Sequence, residues 1–264
     1  VTLLVAVADA GADADLISAA RAFAVAAGWG VSAVHIRMTG DAPLGEAGLD
    51  DIELTELDGD PVSALCALAG RGGIDAFAVG LRSPAGAAVV PGLGHVAEAI
   101  LASAVAPLLL VRPGMRSVES LRRILVPLEG SPSASASMKV ADDAFCRRGR
   151  ELVMLHVATK DTPAERGSLP APRMMDQEQY EWAAWQDEFT MRFSACPEGG
   201  RHRVAVRVGE PARVIAEEAR ALDAELIVLS WNGSFAAGRG AVVRELLDTA
   251  PCPVLLVPCQ ACAV

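Results

Sequence analysis

The stretch LSWNGSFAAGRGAVVREL, residues 229–246, sets Gly233, Gly238 and Gly240 between an apolar run and a helix-forming segment. Glycine lets backbone N–H groups close on an anion, and a helix start behind it adds a positive dipole end, so this composition fits a phosphate cradle. Turns without a ligand share the same composition. Arg239 and Arg244 stand beside the glycines and offer charge-assisted hydrogen bonds to a phosphate, although an exposed arginine is ordinarily just solvated. The terminal Cys259-x-x-Cys262 has a redox or metal spacing. Redox pairs of this kind usually open a helix, where the dipole lowers the thiol pKa, and two thiols are half of a zinc set, so the pair reads as incidental. There is no G-x-x-x-x-G-K-[ST] loop, no G-x-S-x-G elbow and no H-E-x-x-H helix, and no catalytic or metal-ligating set is assigned.

The elements that must position those glycines come from an internal repeat. LLVAVAD from Leu3 aligns with ILVPLEG from Ile124, and about 20 residues on in each copy SAVHI aligns with VMLHV, which places His35 and His156 at matching strand ends. A lone histidine there lines a pocket mouth or, more commonly, is a hydrogen-bonded structural residue. Further on, LDGDPVSALCALA and VGEPARVIAEEA each lead into an apolar strand, DAFAVG or ELIVLS. Gly59-Asp60-Pro61 and Gly209-Glu210-Pro211 read as helix starts, with proline in the first turn and an acid at the positive dipole end. Each copy closes on a helix and a strand, HVAEAILASAVAPLLLV or AVVRELLDTAPCPVLLV. The resulting order, β-α-β-α-β-α-β, predicts parallel sheets covered by helices on both faces, two Rossmann-like units in all.

The 264 residues, 52% of them hydrophobic, suffice for two cores, and two small domains are expected, 1–117 and 118–264. Their boundary is set near Ser117, within RPGMRSVESLRR, where Pro113-Gly114 breaks structure. Between its second and third strands the first copy has a short segment, 37–51. The second carries about 45 residues there, including MMDQEQYEWAAWQDEFTMRF, in which Trp182, Trp185, Phe189 and Phe193 form a helical apolar stripe expected to pack in the core. His202 is read as part of a polar loop. A net charge of -10 disfavours nucleic acid and anionic membranes as partners. Residues 1–118 hold 6 basic and 13 acidic side chains against 17 and 20 in the remainder, so a polyphosphate prefers the second half. No apolar run reaches a membrane-spanning length, the start VTLLVAVADAGAD reads as a buried strand, and six scattered cysteines in a chain too large to need disulfide staples point to a reducing cytoplasm.

With these elements in place the chain resembles a tandem universal stress protein, one domain per half. ILVPLEGSPSA is similar to the family's first strand and following turn, GEPARVIAEEARALDAELIVLS to its third helix and fourth strand, and APCPVLLVP to its last strand. The resemblance implies, for each half, a five-stranded parallel sheet between helices, of the adenine nucleotide alpha hydrolase-like kind. It also implies pairing of the final strands, here within one chain as a pseudo-dimer, while a homodimer through another face stays compatible with the sequence. ATP-binding members carry Gly-x-x-Gly, nine residues, then Gly-Ser/Thr after the fourth strand. Here Ser230 stands at the first glycine, Gly233 at the second and Gly240 at the third, with six residues between the last two and Ala241 in place of the hydroxyl residue.

The implied ATP or adenine nucleotide site of the second half comprises Pro127, Leu128, Glu129, Val157, Ser230, Gly233, Arg239, Gly240, Ala241 and Val242. Glu129 takes the place of the family's ribose-binding Asp, its carboxylate moved by roughly 1.5 Å, and the backbone of Val157 meets the adenine edge. No carboxylate pair is set aside for Mg²⁺. In the first half Ala8 takes the Asp position beside Asp9, Gly80 is retained, Ser83 replaces the second glycine and Gly94-His95 the Gly-Ser/Thr, so that site is expected to be degenerate. The implied function is stress-response regulation through a bound nucleotide. The alternative is a protein-interaction module with empty pockets, working through the Trp-bearing helix or the loop around Trp231; at most weak ATP hydrolysis is expected.

Overall fold

A computed structural model of the chain describes residues 1–9, 11–38, 44, 48–70, 73–81, 95–103, 106–116, 118, 120–129, 134–158, 179–194, 201–232 and 239–259. The first half contains β1 (Thr2–Ala6), α1 (Ala14–Ala27), β2 (Gly30–Arg37), β3 (Glu53–Asp58), α2 (Pro61–Gly70), β4 (Ala76–Gly80), α3 (His95–Ser103) and β5 (Leu108–Val111). The second contains β6 (Arg123–Pro127), α4 (Ser135–Ala144), a 3-10 turn (Cys146–Arg148), β7 (Glu151–Ala158), α5 (Gln179–Phe193), β8 (Arg201–Val208), α6 (Pro211–Ala221), β9 (Leu226–Trp231), α7 (Arg239–Thr249) and β10 (Val254–Pro258).

Each half therefore has one strand more than the β-α-β-α-β-α-β order names. The added strands, β3 and β8, are the two margins of one sheet whose order is β3-β2-β1-β4-β5-β10-β9-β6-β7-β8. A marginal strand has a single neighbour and leaves charge facing water, so ELTELD and RHRVAVRV carry weaker apolar signals than the runs between them. His202 belongs to β8 and not to a polar loop, a correction with the same cause. Among the described residues no helix separates β2 from β3, which pair directly in parallel.

All neighbouring strands run parallel except the central pair, β5 and β10, which is antiparallel with Leu110 opposite Val254, Leu109 opposite Leu255 and Leu108 opposite Leu256. The two closing strands thus pair within the chain, and a sheet of ten strands crosses both halves. The two cores do not divide between the halves. One core lies on the face covered by α1, α4 and α5 and the other on the face covered by α2, α3, α6 and α7, and each draws residues from both halves. The division follows from the continuous sheet, since side chains alternate between its two faces along every strand.

The two helix starts read from sequence are present. Glu210 caps α6 by accepting from the N–H groups of Ala212 (3.2 Å) and Arg213 (2.9 Å), and Asp60 accepts from Ser63 N (2.8 Å) and Ser63 Oγ (2.7 Å) at the start of α2. Those two bonds hold the exposed Asp60 carboxyl below its ordinary pKa. The glycines before the caps have φ of 140° at Gly59 and 153° at Gly209, where an L side chain is strained; at Gly209 a Cβ would also meet Val214 Cγ2 at 2.8 Å. Among the described residues no helix is long and apolar enough to cross a membrane.

Candidate functional site

Parallel pairing of β6 with β9, Ile124 opposite Leu226 and Leu125 opposite Ile227, brings the C-terminal ends of both strands to one rim of the sheet. In an open α/β sheet this rim is where ligands bind, because the helices that follow the strands begin there. Pro127 ends β6 at the rim with Leu128 and Glu129 just past it, Ser230 and Trp231 end β9, and the first turn of α7 supplies Arg239, Gly240, Ala241 and Val242. Gly240 is buried, Ala241 exposed and Val242 half-buried against the core on the α7 face. Gly233 and the side chain of Arg239 lie outside the described residues.

The rim is tied together by hydrogen bonds at its floor. Leu128, 2% exposed, donates its N–H to Leu155 O (2.9 Å) and accepts from His156 Nδ1 (2.9 Å), so β6 and β7 stay joined one residue past the strand end. Glu129, next in the chain, faces water. Val157 is half-buried in the ladder opposite Arg207. Ser230 turns its hydroxyl toward the start of α4: its Oγ donates to Ser137 Oγ (3.0 Å), which donates to Ala134 O (2.9 Å), while Ser137 N donates back to Ser230 Oγ (3.4 Å). The strand end and the helix start are thus linked where the family pattern has a glycine.

The same place in the first half is filled by a residue that sequence reading passed over. Asp13, 4% exposed, precedes α1 and accepts from Ala8 N (2.8 Å) and Asp9 N (3.1 Å), and a Cβ on Gly80 would lie 3.2 Å from its Oδ1. A carboxylate charge held at the ends of β1 and β4 opposes a phosphate at short range. Asp9 spends its own carboxylate on Ala12 N (2.7 Å). Ser83, Gly94 and the side chain of His95 lie outside the described residues.

Both repeat histidines are structural. His35 Nδ1 meets Val7 O as His156 Nδ1 meets Leu128 O, each at 2.9 Å, and both rings are buried. His156 packs beside Trp185 (5.6 Å between ring centroids) and Phe189 (5.8 Å). Burial holds His156 below its ordinary pKa of 6.5, outweighing the Leu128 bond and the Glu129 charge, which act upward. The ring is then neutral in the folded chain while the unfolded chain takes up a proton below about pH 6.5. Its contribution to stability is complete above that pH and is lost as pH falls toward the lowered value. Urea midpoints at about pH 7.5 and 5.5, a pair spanning that window, are expected to fall further for the parent than for His156→Gln; equal falls would contradict this.

Trp185, Phe189 and Phe193 are buried in the core on the α5 face, as the stripe predicted, and the side chain of Trp182 lies outside the described residues. Trp231 is 2% exposed and donates from Nε1 to Leu101 O (3.3 Å) in the first half. The surfaces assigned to a protein-interaction module are therefore occupied at Trp185 and Trp231 by the fold itself. Cys259 donates its N–H to Trp231 O (2.7 Å), and Cys262 lies outside the described residues. Burial pushes the Cys252 thiol up to about 12, which keeps it protonated. Cys146 is disulfide-bonded, against the expectation that this chain needs no such link.

A family model described as the universal stress protein family matches residues 120–258. The fold of the whole chain is similar to a universal stress protein from Archaeoglobus fulgidus DSM 4304, at 16% identity over 97% of this chain and 98% of that one, with a TM-score of 0.65. It is also similar to a putative universal stress protein from Pseudomonas aeruginosa UCBPP-PA14, at 13% identity over 97% of this chain and 92% of that one, TM-score 0.57. A universal stress protein from Archaeoglobus fulgidus solved in complex with dAMP matches 51% of this chain and 96% of its own at 20% identity, TM-score 0.35. Comparison with curated proteins returns no match.

Proposed function

The chain belongs to the universal stress protein family, and on that premise we propose that it is a cytoplasmic stress-response regulator whose second half takes ATP or a related adenine nucleotide. The observation that carries this reading is the placement of α7. Its first turn follows a central strand at the ligand-binding rim, and its second residue, Gly240, is buried with no side chain between the helix start and its surroundings. The N–H groups that a helix start leaves without intrahelical partners, together with its dipole, favour phosphate there. Glu129, exposed at the end of β6, keeps an acceptor for a ribose hydroxyl. The first half serves as the pairing partner, with the boundary near residue 117, and Asp13 excludes a second phosphate.

The test is calorimetric titration with ATP and Mg²⁺ of the parent, Gly240→Glu and Ala241→Glu. The first substitution fills the cradle; the second puts a negative charge at an exposed position beside it and leaves the core alone. The parent is expected to bind and Gly240→Glu to show no heat of binding. Ala241→Glu is expected to weaken binding by about tenfold or more, which corresponds to about 1.4 kcal/mol. No binding by the parent at millimolar nucleotide overturns the reading, as does unchanged affinity in both variants.

A further inference from the structure

We propose that Asp142, Cys146 and His202 form a redox-gated site for a divalent transition metal of the zinc type, at the rim of the second half opposite the nucleotide rim. Asp142 and Cys146 are four residues apart where α4 runs into the 3-10 turn, and His202 is the second residue of β8. One ligand atom of each, carboxylate oxygen, sulfur and imidazole nitrogen, lies within 4.8 Å of the others. His202 Nε2 is 3.0 Å from Asp142 Oδ1, and the Asp142 and His202 side chains are 4% and 13% exposed.

Two other uses of such a cluster fail on its geometry. Ser194 Oγ donates to Asp142 Oδ2 (3.1 Å) and also lies 3.0 Å from His202 Nε2. A hydrolytic relay needs the acid on one ring nitrogen and the nucleophile on the other, whereas here both oxygens meet Nε2. Nor does the donor set suit Mg²⁺ or Ca²⁺, which take oxygen ligands. One oxygen, one nitrogen and one sulfur suit zinc, with Ser194 or a water as fourth ligand. Metal–ligand lengths of about 2.0–2.3 Å put tetrahedral ligand atoms roughly 3.4–3.8 Å apart, so closing this cluster on an ion takes shifts of about 1 Å or less by that geometry.

The gate is Cys146 itself. Its sulfur is disulfide-bonded, and a disulfide sulfur is not a thiolate ligand. A cellular dithiol that attacks the disulfide is oxidised to its own disulfide, and its two electrons and two protons leave two protein thiols. The freed Cys146 thiol gives up its proton as the metal binds, as any thiol ligand does. The site is independent of the nucleotide reading. At 1.5 Å per residue, Asp142 lies about 10 Å along α4 from the helix start bonded to Ser230.

Co²⁺ titration of the full chain tests the proposal, with the protein either left oxidised or reduced by a phosphine that is then removed under anaerobic conditions. Reduced protein is expected to bind one Co²⁺ with a thiolate charge-transfer band in the near ultraviolet and tetrahedral bands in the visible, all abolished by Zn²⁺. Oxidised protein is expected to show neither. Cys146→Ser and His202→Gln lose the charge-transfer band and the tetrahedral bands respectively, while a Cys66→Ser, Cys259→Ser double variant keeps both. No charge-transfer band in the reduced parent overturns the proposal without recourse to a variant, and so does a band that survives in Cys146→Ser.

Discussion

Leu255→Ala is expected to lower the unfolding free energy by about 2–5 kcal/mol and to lower it for both halves in one step. Leu255 is 0% exposed in β10, directly opposite Leu109, 1% exposed, in β5. These two strands are the antiparallel pair at the centre of the sheet, and both leucines belong to the core on the α1 and α4 face. A cavity there has neighbours from each half, and neither half can relax around it alone. Against a total stability of about 5–15 kcal/mol for a typical domain, such a loss shifts the urea midpoint plainly. Trp29 is the first half's only tryptophan, and Trp185 and Trp231 report on the second. Single-tryptophan versions are expected to unfold at one midpoint and to move together in the variant. A shift confined to the second half would contradict the shared core. Leu109→Ala added to Leu255→Ala should cost less than it does alone, because its opposite neighbour is already gone.

The central strands were legible in the sequence for the same reason that they hold the molecule together. LLVAV, ILVPL, FAVG and PVLLV are apolar on consecutive residues because both faces of each strand are covered. The two capped helices were legible too, since Pro61 and Pro211 sit beside acids whose side chains bond residues two or three positions on. A local bond leaves a local pattern. The margins β3 and β8 were harder to see: half or more of each strand faces water, and at β3 Glu56 and Asp58 pair with Arg37 of β2 in place of an apolar face. The allocation of the cores to faces depends on β5 meeting β10 across more than 140 residues of chain, a pairing that came from the family resemblance and from no local pattern.

At the rim, the strand ends and the start of α7 could be read ahead, because each follows from its own neighbours in the chain. The partners of those residues could not. Ser230 bonds Ser137 across 93 positions, and at the opposite rim His202 meets Asp142 across 60. Asp13 was missed although its bonds are local, to Ala8 and Asp9 four or five residues back. Its burial depends on β4 coming to lie beside β1, which a sequence window around residue 13 does not contain. Both misses concern which polar side chains the fold encloses, and a buried polar group is chosen by what surrounds it in space.

Phe145→Ala is expected to cost about 3–5 kcal/mol, and to do so through the first half as much as through its own. Phe145 is 0% exposed just past the end of α4, and its ring meets that of Phe23 in α1 edge-to-face, with centroids 5.4 Å apart and planes at 89°. Phe23 in turn meets Trp29 at 5.3 Å and 76°. Beside this stack the chain turns at Gly28, with φ of 66°, under the guanidinium of Arg148; a Cβ there would lie 2.5 Å from Arg148 Nη2. The two helix ends thus approach each other with rings on one side and arginine over glycine on the other. Edge-to-face pairs add about 0.5–1.5 kcal/mol beyond the area they bury, and a double-mutant cycle on Phe23 and Phe145 should recover a coupling of that size. Phe145→Leu keeps most of the volume and should cost less than the alanine variant. A coupling near zero, or loss of stability in the second half with Trp29 unmoved, would show that α1 and α4 pack on the sheet independently, and the joint between the halves would then rest on β5 with β10 and on bonds such as that of Trp231 to Leu101.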